Sequence, residues 1–372
     1  MLAYLRLRPT IKRYHIVDTQ EKLEELARRM MKVSEFAFDT ETNTLNVRGE
    51  NSKFLCVAIT ISWGDFDNYY IPLHHRRIED VHRNLPESLV YQELQPVFDR
   101  DDVTVIGAHI KFDKHVLNRI GFEFKDTMKE FDVLLAGFLV NENIEGGLKG
   151  LSSHYFKYPQ EHFAEVVQTV PGEVKKEFGL KASNKATFDL VLIEDGCMYA
   201  LDDAFQTWNA YLLFLDLLEE EGMTDIFWKH SMPFSKCLYK MEKRGVTIDL
   251  DKLHQMRNDM DKDIEDLFYE MTEILGAEFN PKSSMQLAEI LFGYVKENKE
   301  SLYGRLSFRF PIQTTTGTGA PQTNELTLRR ISQMSYKNSR KLEGIEFVKK
   351  LMSYKKLVKL RTAFIEGLEE QV

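Results

Sequence analysis

The run Phe54 to Ser62, FLCVAITIS, limits most strongly what this chain can fold into, because it holds nine apolar, β-branched or small residues and no charge. A run of this kind, bounded by turn-prone residues, reads as a sheet strand. Phe36 to Thr40 reads as an adjacent strand, and Tyr69-Tyr70-Ile71 as a short one that follows. Val103 to Ile106 is another buried strand, which Gly107 ends before a helical pattern through Phe112, Val116 and Ile120. Helices are expected near Asp132 to Val140, Leu148 to Phe156 and Phe188 to Leu218. Strands first, then strand and helix in alternation, predict an α/β fold with a mixed sheet flanked by helices.

After about Gly222 the strand signals fade and helical periodicities take over, so two domains are expected, 1–220 and a mainly α region over 221–372. Within the second, Ile312 to Asn324 (IQTTTGTGAPQTN) has little that could pack and is expected to be a mobile loop. The last stretch spaces Leu351, Tyr354, Val358, Phe364, Ile365 and Leu368 as one face of a long helix. No apolar run approaches bilayer length, and the start MLAYLRLRPTIKRYH is broken by charges, so a cytoplasmic protein without membrane contact is expected. Cys56, Cys197 and Cys237 stand far apart and are expected to be ordinary buried thiols.

A formal charge of −9 argues against coating nucleic acid by bulk attraction. Distribution matters more. From Leu326 to Arg361 eleven basic residues face two acidic ones, Glu343 and Glu346, which suits either a solvated helix face or local phosphate contacts.

Four separated acids carry the chemistry. Asp39 and Glu41 alternate in FAFDTETNTL, so both side chains leave the same face of a strand, where they could share a cation. Taken alone, such a pair is more often solvent-facing than catalytic. Asp113 stands in GAHIKFDKHVL at the start of the helix after a buried strand, and Asp203 in YALDDAFQTW lies four residues after Tyr199, one helical turn away.

In this order, DxE, FD and YxxxD resemble the three exonuclease motifs of the tyrosine-bearing subclass of the DEDD superfamily. FDVLLAGFLVN, LKGLSSHYF and TFDLVLIEDGCMYALDDA resemble the stretches between those motifs. MEKRGVTIDLDKL, FNPKSSMQLAEILF, TGTGAPQTNE and YKKLVKLRTAFIEGL resemble the opening of the polymerase region in bacterial and phage family A enzymes, similar to DNA polymerase I, where they build base and thumb. The resemblance runs from about Tyr14 to Leu368. It implies a ribonuclease H-like fold followed by an incomplete thumb-like region. A TGR segment, a DYSQIELR-like motif and an HDE motif do not occur, so nucleotide addition by this chain alone is not expected. Nor is a 5′ nuclease domain expected ahead of the first motif.

The resemblance further implies 3′-to-5′ hydrolysis of DNA during proofreading, by two Mg²⁺ or Mn²⁺ ions roughly 3.5–4 Å apart. Carboxylates suit these ions as hard oxygen donors. Asp39, Glu41 and Asp203 would hold the first ion, Asp39 being shared with the second and Asp113 supporting it, while Tyr199 would orient the attacking water. Leu45 matches the family's wedge and Phe188 its base-packing aromatic, gripping a frayed single-stranded 3′ end. His109 stands where the family commonly has Asn, which puts a substrate contact in doubt. Lys355 and Lys356 occupy ground where Arg is frequent and are expected to touch phosphate.

The partners implied are primer-template DNA and, if the gene is split, a separate polymerase chain; a shortened chain would leave the second-half helices partly unpaired. A stand-alone exoribonuclease of the ribonuclease-D kind shares the acidic set, but the polymerase-like second half argues against it. A non-catalytic scaffold has no reason to gather four carboxylates that repel one another without metal.

Overall fold

The structure, a computed structural model, describes residues 7–48, 53–295, 301–317 and 319–369. It divides into two compact units, Met1–Gly245 and Val246–Val372.

The first unit is built on six strands: β1 (His15–Ile16), β2 (Glu35–Thr42), β3 (Cys56–Ser62), β4 (Asn68–Pro72), β5 (Thr104–Gly107) and β6 (Lys129–Asp132). Their order across the sheet is β1-β4-β3-β2-β5-β6. The meander β2-β3-β4 is antiparallel, whereas β5 joins β2, β6 joins β5 and β1 joins β4 in parallel. The helices are α1 (Gln20–Met30), α2 (Glu87–Phe98), α3 (Ile110–Arg119), α4 (Val133–Val140), α5 (Gly147–Leu151), α6 (Phe163–Gln168), α7 (Gly172–Glu177), α8 (Ile193–Glu220), the short α9 (Thr224–Ile226) and α10 (Met232–Arg244).

Period-two alternation sorts the two faces of β2. Phe36 and Phe38 join the core that includes Leu23 and Leu26 of α1 and Val90 and Leu94 of α2. Ala37 turns the other way, into a core with Ala210 and Phe214 of α8. That 28-residue helix packs against β2, β3 and β4. The sheet is therefore covered on both faces, and every residue of β3 is buried, as its apolar run requires.

The helix expected near Asp132 to Val140 is α4, and Asp132 both closes β6 and caps that helix. Its Oδ1 accepts from the amides of Leu134 (2.9 Å), Leu135 (3.3 Å) and His109 (3.3 Å), and its Oδ2 from that of Ile110 (3.0 Å). One buried carboxylate thus satisfies the first amides of two helices, α3 and α4. Gly107, just upstream, cannot carry a side chain without displacing Ile110, whose Cβ lies 2.8 Å from where a glycine-107 Cβ would stand.

The first compact unit extends to Gly245 because α10 packs on α3 and β6. Lys114 and Glu130 form a buried ion pair at 2.6 Å, and the Lys114 ammonium lies 4.1 Å over the ring of Tyr239 on α10. Tyr239 and Met232 are themselves buried there. Of the three cysteines, Cys56 and Cys197 are buried as expected, whereas Cys237 is exposed on α10, which has a single buried stripe.

The second unit is helical: α11 (Leu250–Leu275), α12 (Ser284–Phe292), α13 (Leu302–Leu306), α14 (Glu325–Ser332) and α15 (Ser339–Leu360). Each of the five starts on a side chain that accepts from a first-turn amide: Asp249, Ser283, Ser301, Asn324 and Asn338. Helices α11 and α15 run antiparallel, tied by Arg340 to the Ile274 carbonyl, Lys350 to Glu270 and Arg361 to Asp261. Phe279, Phe308, Phe310 and Phe347 fill the core beside them.

The expected loop holds a local turn, and the expectation for the last helix changes. The loop Ile312 to Asn324 contains a turn closed by an isolated bridge, Thr315 to Pro321, with the Thr316 amide donating to the Ala320 carbonyl. After Leu360 the helix widens into a π-turn, Arg361–Glu366. The wider turn shifts the apolar phase, so Leu351 and Ile365 are buried while Phe364 is 61 % exposed.

Candidate active site

On β2, Asp39 pairs with Thr60 and Glu41 with Ala58 of β3, and the register slips after Glu41 in a local irregularity. Both acids leave the face turned to α8, the face that Ala37 shares. Asp203 comes from α8, one turn after Tyr199. One carboxylate oxygen from each of Asp39, Glu41 and Asp203 lies within 4.8 Å of the others.

Asp113 stands outside this trio, in the first turn of α3. Its Oδ1 accepts from the Thr40 amide at 3.1 Å and the Thr40 hydroxyl at 2.6 Å, which leaves Oδ2 for any other ligand. Thr40 lies between the two acids of β2, so its amide and hydroxyl tie Asp113 to the strand that carries two of the trio.

Burial pushes the Asp39 carboxyl well up from its ordinary range, and the charges of Asp113, Asp203 and Glu41 push it further. Glu41 is raised by burial and then by Asp203. Burial raises Asp203 to about 6 and Asp113 to about 7, the latter opposed by its bonds from Thr40. A group of hard oxygen donors that resist ionising together is satisfied by a cation that takes the place of protons, so the donor set fits Mg²⁺ or Mn²⁺. Tyr199 is raised as well, by burial first and then by Glu41, Asp203 and Asp39, so its phenol keeps its proton.

The remaining expected residues separate into exposed and buried. Leu45 is 85 % exposed. His109 is exposed in the left-handed region (φ 65°), its amide held by Asp132. Phe188 is wholly buried among His75, Phe163 and Tyr199, so in this structure it offers no face to a base. The half-exposed ring in front of it is Phe163, 6.5 Å away and close to parallel. In the second unit, Lys355 and Lys356 line a surface cavity of ≈ 590 Å³ with Lys359 and Arg329. Lys355 is half-buried, which lowers the pKa of its amine, and Lys356 is exposed.

Three residues near the acids escaped the sequence reading. Gln160 donates to Asp203 Oδ1 at 2.7 Å while accepting from Ser152 at 3.0 Å. Lys149 reaches within 4.0 Å of the same Asp203 oxygen and lies 4.6 Å over the Tyr199 ring. Phe163 is the third. All come from the stretch of short helices and loops between α4 and α8, whose spacing does not mark which side chains turn toward the acids.

The sheet, crossed by a long helix, thus gathers three carboxylates on the face the two share. Residues 14–219 match the family described as 3′-5′ exonuclease, over half of the chain, and the chain belongs to that family. Residues 250–372 match DNA polymerase family A. The chain is similar to DNA polymerase I of Borreliella burgdorferi, 23% identical over 360 residues that cover 97% of this chain and 34% of that protein. It is also similar to the DNA polymerase of Escherichia phage T5, 25% identical over 378 residues, 95% of this chain and 39% of that protein. The chain therefore spans about a third of the length of such relatives. Among solved structures, the POL domain of Pol1 from M. smegmatis, in complex with DNA primer-template and dNTP, shares the fold. Its TM-score is 0.59 at 17% identity, covering 96% of this chain and 50% of that one. Among the described residues no helix is long and apolar enough to cross a membrane.

Proposed function

We propose that this chain is a metal-dependent exonuclease that removes nucleotides from the single-stranded 3′ end of DNA, acting as the proofreading part of a family A polymerase. The observation that carries the reading is the approach of Asp39, Glu41 and Asp203 to within 4.8 Å across two elements distant in sequence. Asp39, Glu41 and Asp203 would hold one divalent ion, and Asp113, through its Oδ2, would support a second shared with Asp39. When bound, such ions supply the charge that makes water a stronger nucleophile near neutral pH and steadies the leaving 3′ oxygen.

The chain's own groups do the positioning. Tyr199, kept protonated, orients the attacking water by a hydrogen bond. Leu45 and Phe163 present apolar surface to unpaired bases, which stack without regard to sequence. His109 at the start of α3 is placed to meet the substrate backbone, and the cations around Lys355 and Lys356 to meet phosphate. Where the polymerase catalytic region is a separate chain, that chain would be the partner for the second unit.

The test is degradation of a 3′-labelled DNA single strand in Mg²⁺ or Mn²⁺, with an RNA strand alongside. Asp39→Ala combined with Glu41→Ala is expected to reduce the rate by at least about a thousandfold while circular dichroism stays unchanged. Wild-type protein that leaves the DNA intact in either ion, or that prefers the RNA, contradicts the reading.

A further inference from the structure

The lysine beside the acids is held from three sides. Lys149, on α5, donates to the backbone carbonyl of Glu161, lies 4.6 Å over the Tyr199 ring and comes within 4.0 Å of Asp203 Oδ1. Its side chain is 26% exposed, so it sits at the rim of the acidic pocket rather than in bulk water. Gln160, one residue before Glu161, donates to the same Asp203 oxygen. Burial drives the carboxyls of Asp39, Glu41 and Asp203 up, and Lys149 acts on each of them in the opposite sense.

We infer that Lys149 is a built-in counter-cation, a positioning residue that holds Asp203 toward Asp39 and Glu41 before divalent ions arrive and competes with those ions once they load. The inference rests on the metal reading of the trio given above. An ammonium 4.0 Å from Asp203, whose charge also favours the ionised forms of Asp39 and Glu41, stabilises the gathered arrangement of the three. The same charge repels an incoming dication. Removing it therefore has opposite effects on the metal-free fold and on metal affinity, which a lysine that merely packs against Tyr199 does not produce.

The experiment uses the full chain at pH 8 with Mn²⁺ alone, no nucleic acid, followed by electron paramagnetic resonance of free Mn²⁺ and by thermal melting with chelator or with saturating Mn²⁺. Lys149→Met, which keeps the stem, and Lys149→Gln, which keeps a donor for the Glu161 carbonyl, are compared with Lys149→Arg. The two neutral variants are expected to melt lower than wild type in chelator, to bind Mn²⁺ with a several-fold lower Kd, and to recover wild-type melting when Mn²⁺ is saturating. Lys149→Arg is expected to behave as wild type. Unchanged or weaker Mn²⁺ binding in the neutral variants, or a melting deficit that persists in Mn²⁺, overturns the inference. Wild-type protein that takes up no Mn²⁺ overturns the metal reading along with it, whereas uptake by wild type without a shift in the variants overturns the counter-cation role alone.

Discussion

Asp113 shows how a single residue couples the site to pH. Burial lifts its carboxyl from the ordinary value of 3.8 to about 7, against the opposing bonds from Thr40. Between those values the folded protein holds a proton that the unfolded chain has already released. The stabilisation this gives is complete below pH ~4 and lost as pH rises through about 7. In chelator, wild-type melting temperature is therefore expected to fall between pH 5 and 8 more steeply than that of Asp113→Asn, the difference corresponding to a few kcal/mol. Differential scanning fluorimetry across that range checks it, and parallel slopes contradict it. At this scale local geometry told only part of the site. A period of two put Asp39 and Glu41 on one face and one helical turn set Asp203 beside Tyr199, but it was the resemblance to the exonuclease motifs that joined them with Asp113 into one site. Lys149, Gln160 and Phe163 were not legible, because a segment of short helices and loops brings them in and no repeat marks its inward side. Phe188 was read as a surface for bases, yet the same segment covers it.

Among the elements, the start of α3 and the start of α4 depend on one side chain. Asp132→Ala strips acceptors from the amides of His109, Ile110, Leu134 and Leu135 together. Loss of two caps with buried amides left unpaired is expected to cost roughly 3 kcal/mol or more. A urea titration followed by circular dichroism measures this, and a loss below ~1 kcal/mol would mean that other acceptors replace the carboxylate. The long elements were legible in the sequence: β3 from its uninterrupted apolar run and α8 from its extended helical pattern. Strands β1 and β6 were not, being two and four residues long, too short for any period to register. In the second unit the apolar spacing near the end was read as one straight helix, and the π-turn after Leu360 broke that phase.

For the molecule as a whole, the place where the first unit ends decides what can be cut. The match to the exonuclease family ends at residue 219, but the compact unit continues to Gly245. A chain stopped at Gly222 loses buried Phe227, which packs on Phe131 of β6, together with Met232 and Tyr239, and uncovers the Lys114–Glu130 pair. Losing three such side chains forfeits about 5–9 kcal/mol of burial, or roughly 20 °C in melting temperature for a domain of this size. Calorimetry of chains ending at Gly222 and at Gly245 is expected to show that gap, and equal melting temperatures contradict the assignment of α10 to the first unit. The acidic Glu219-Glu220-Glu221 stretch looked like a border because composition changes there, yet a helix beyond it still packs backward.

The shared cap at Asp132 also bears on how a silent version of this protein should be made. Since that carboxylate anchors the helix carrying Asp113 and its neighbour at once, altering it confounds loss of chemistry with loss of architecture. Asp39, by contrast, caps no helix, so replacing it is the cleaner way to test the proposed cleavage while keeping a well-formed protein in hand.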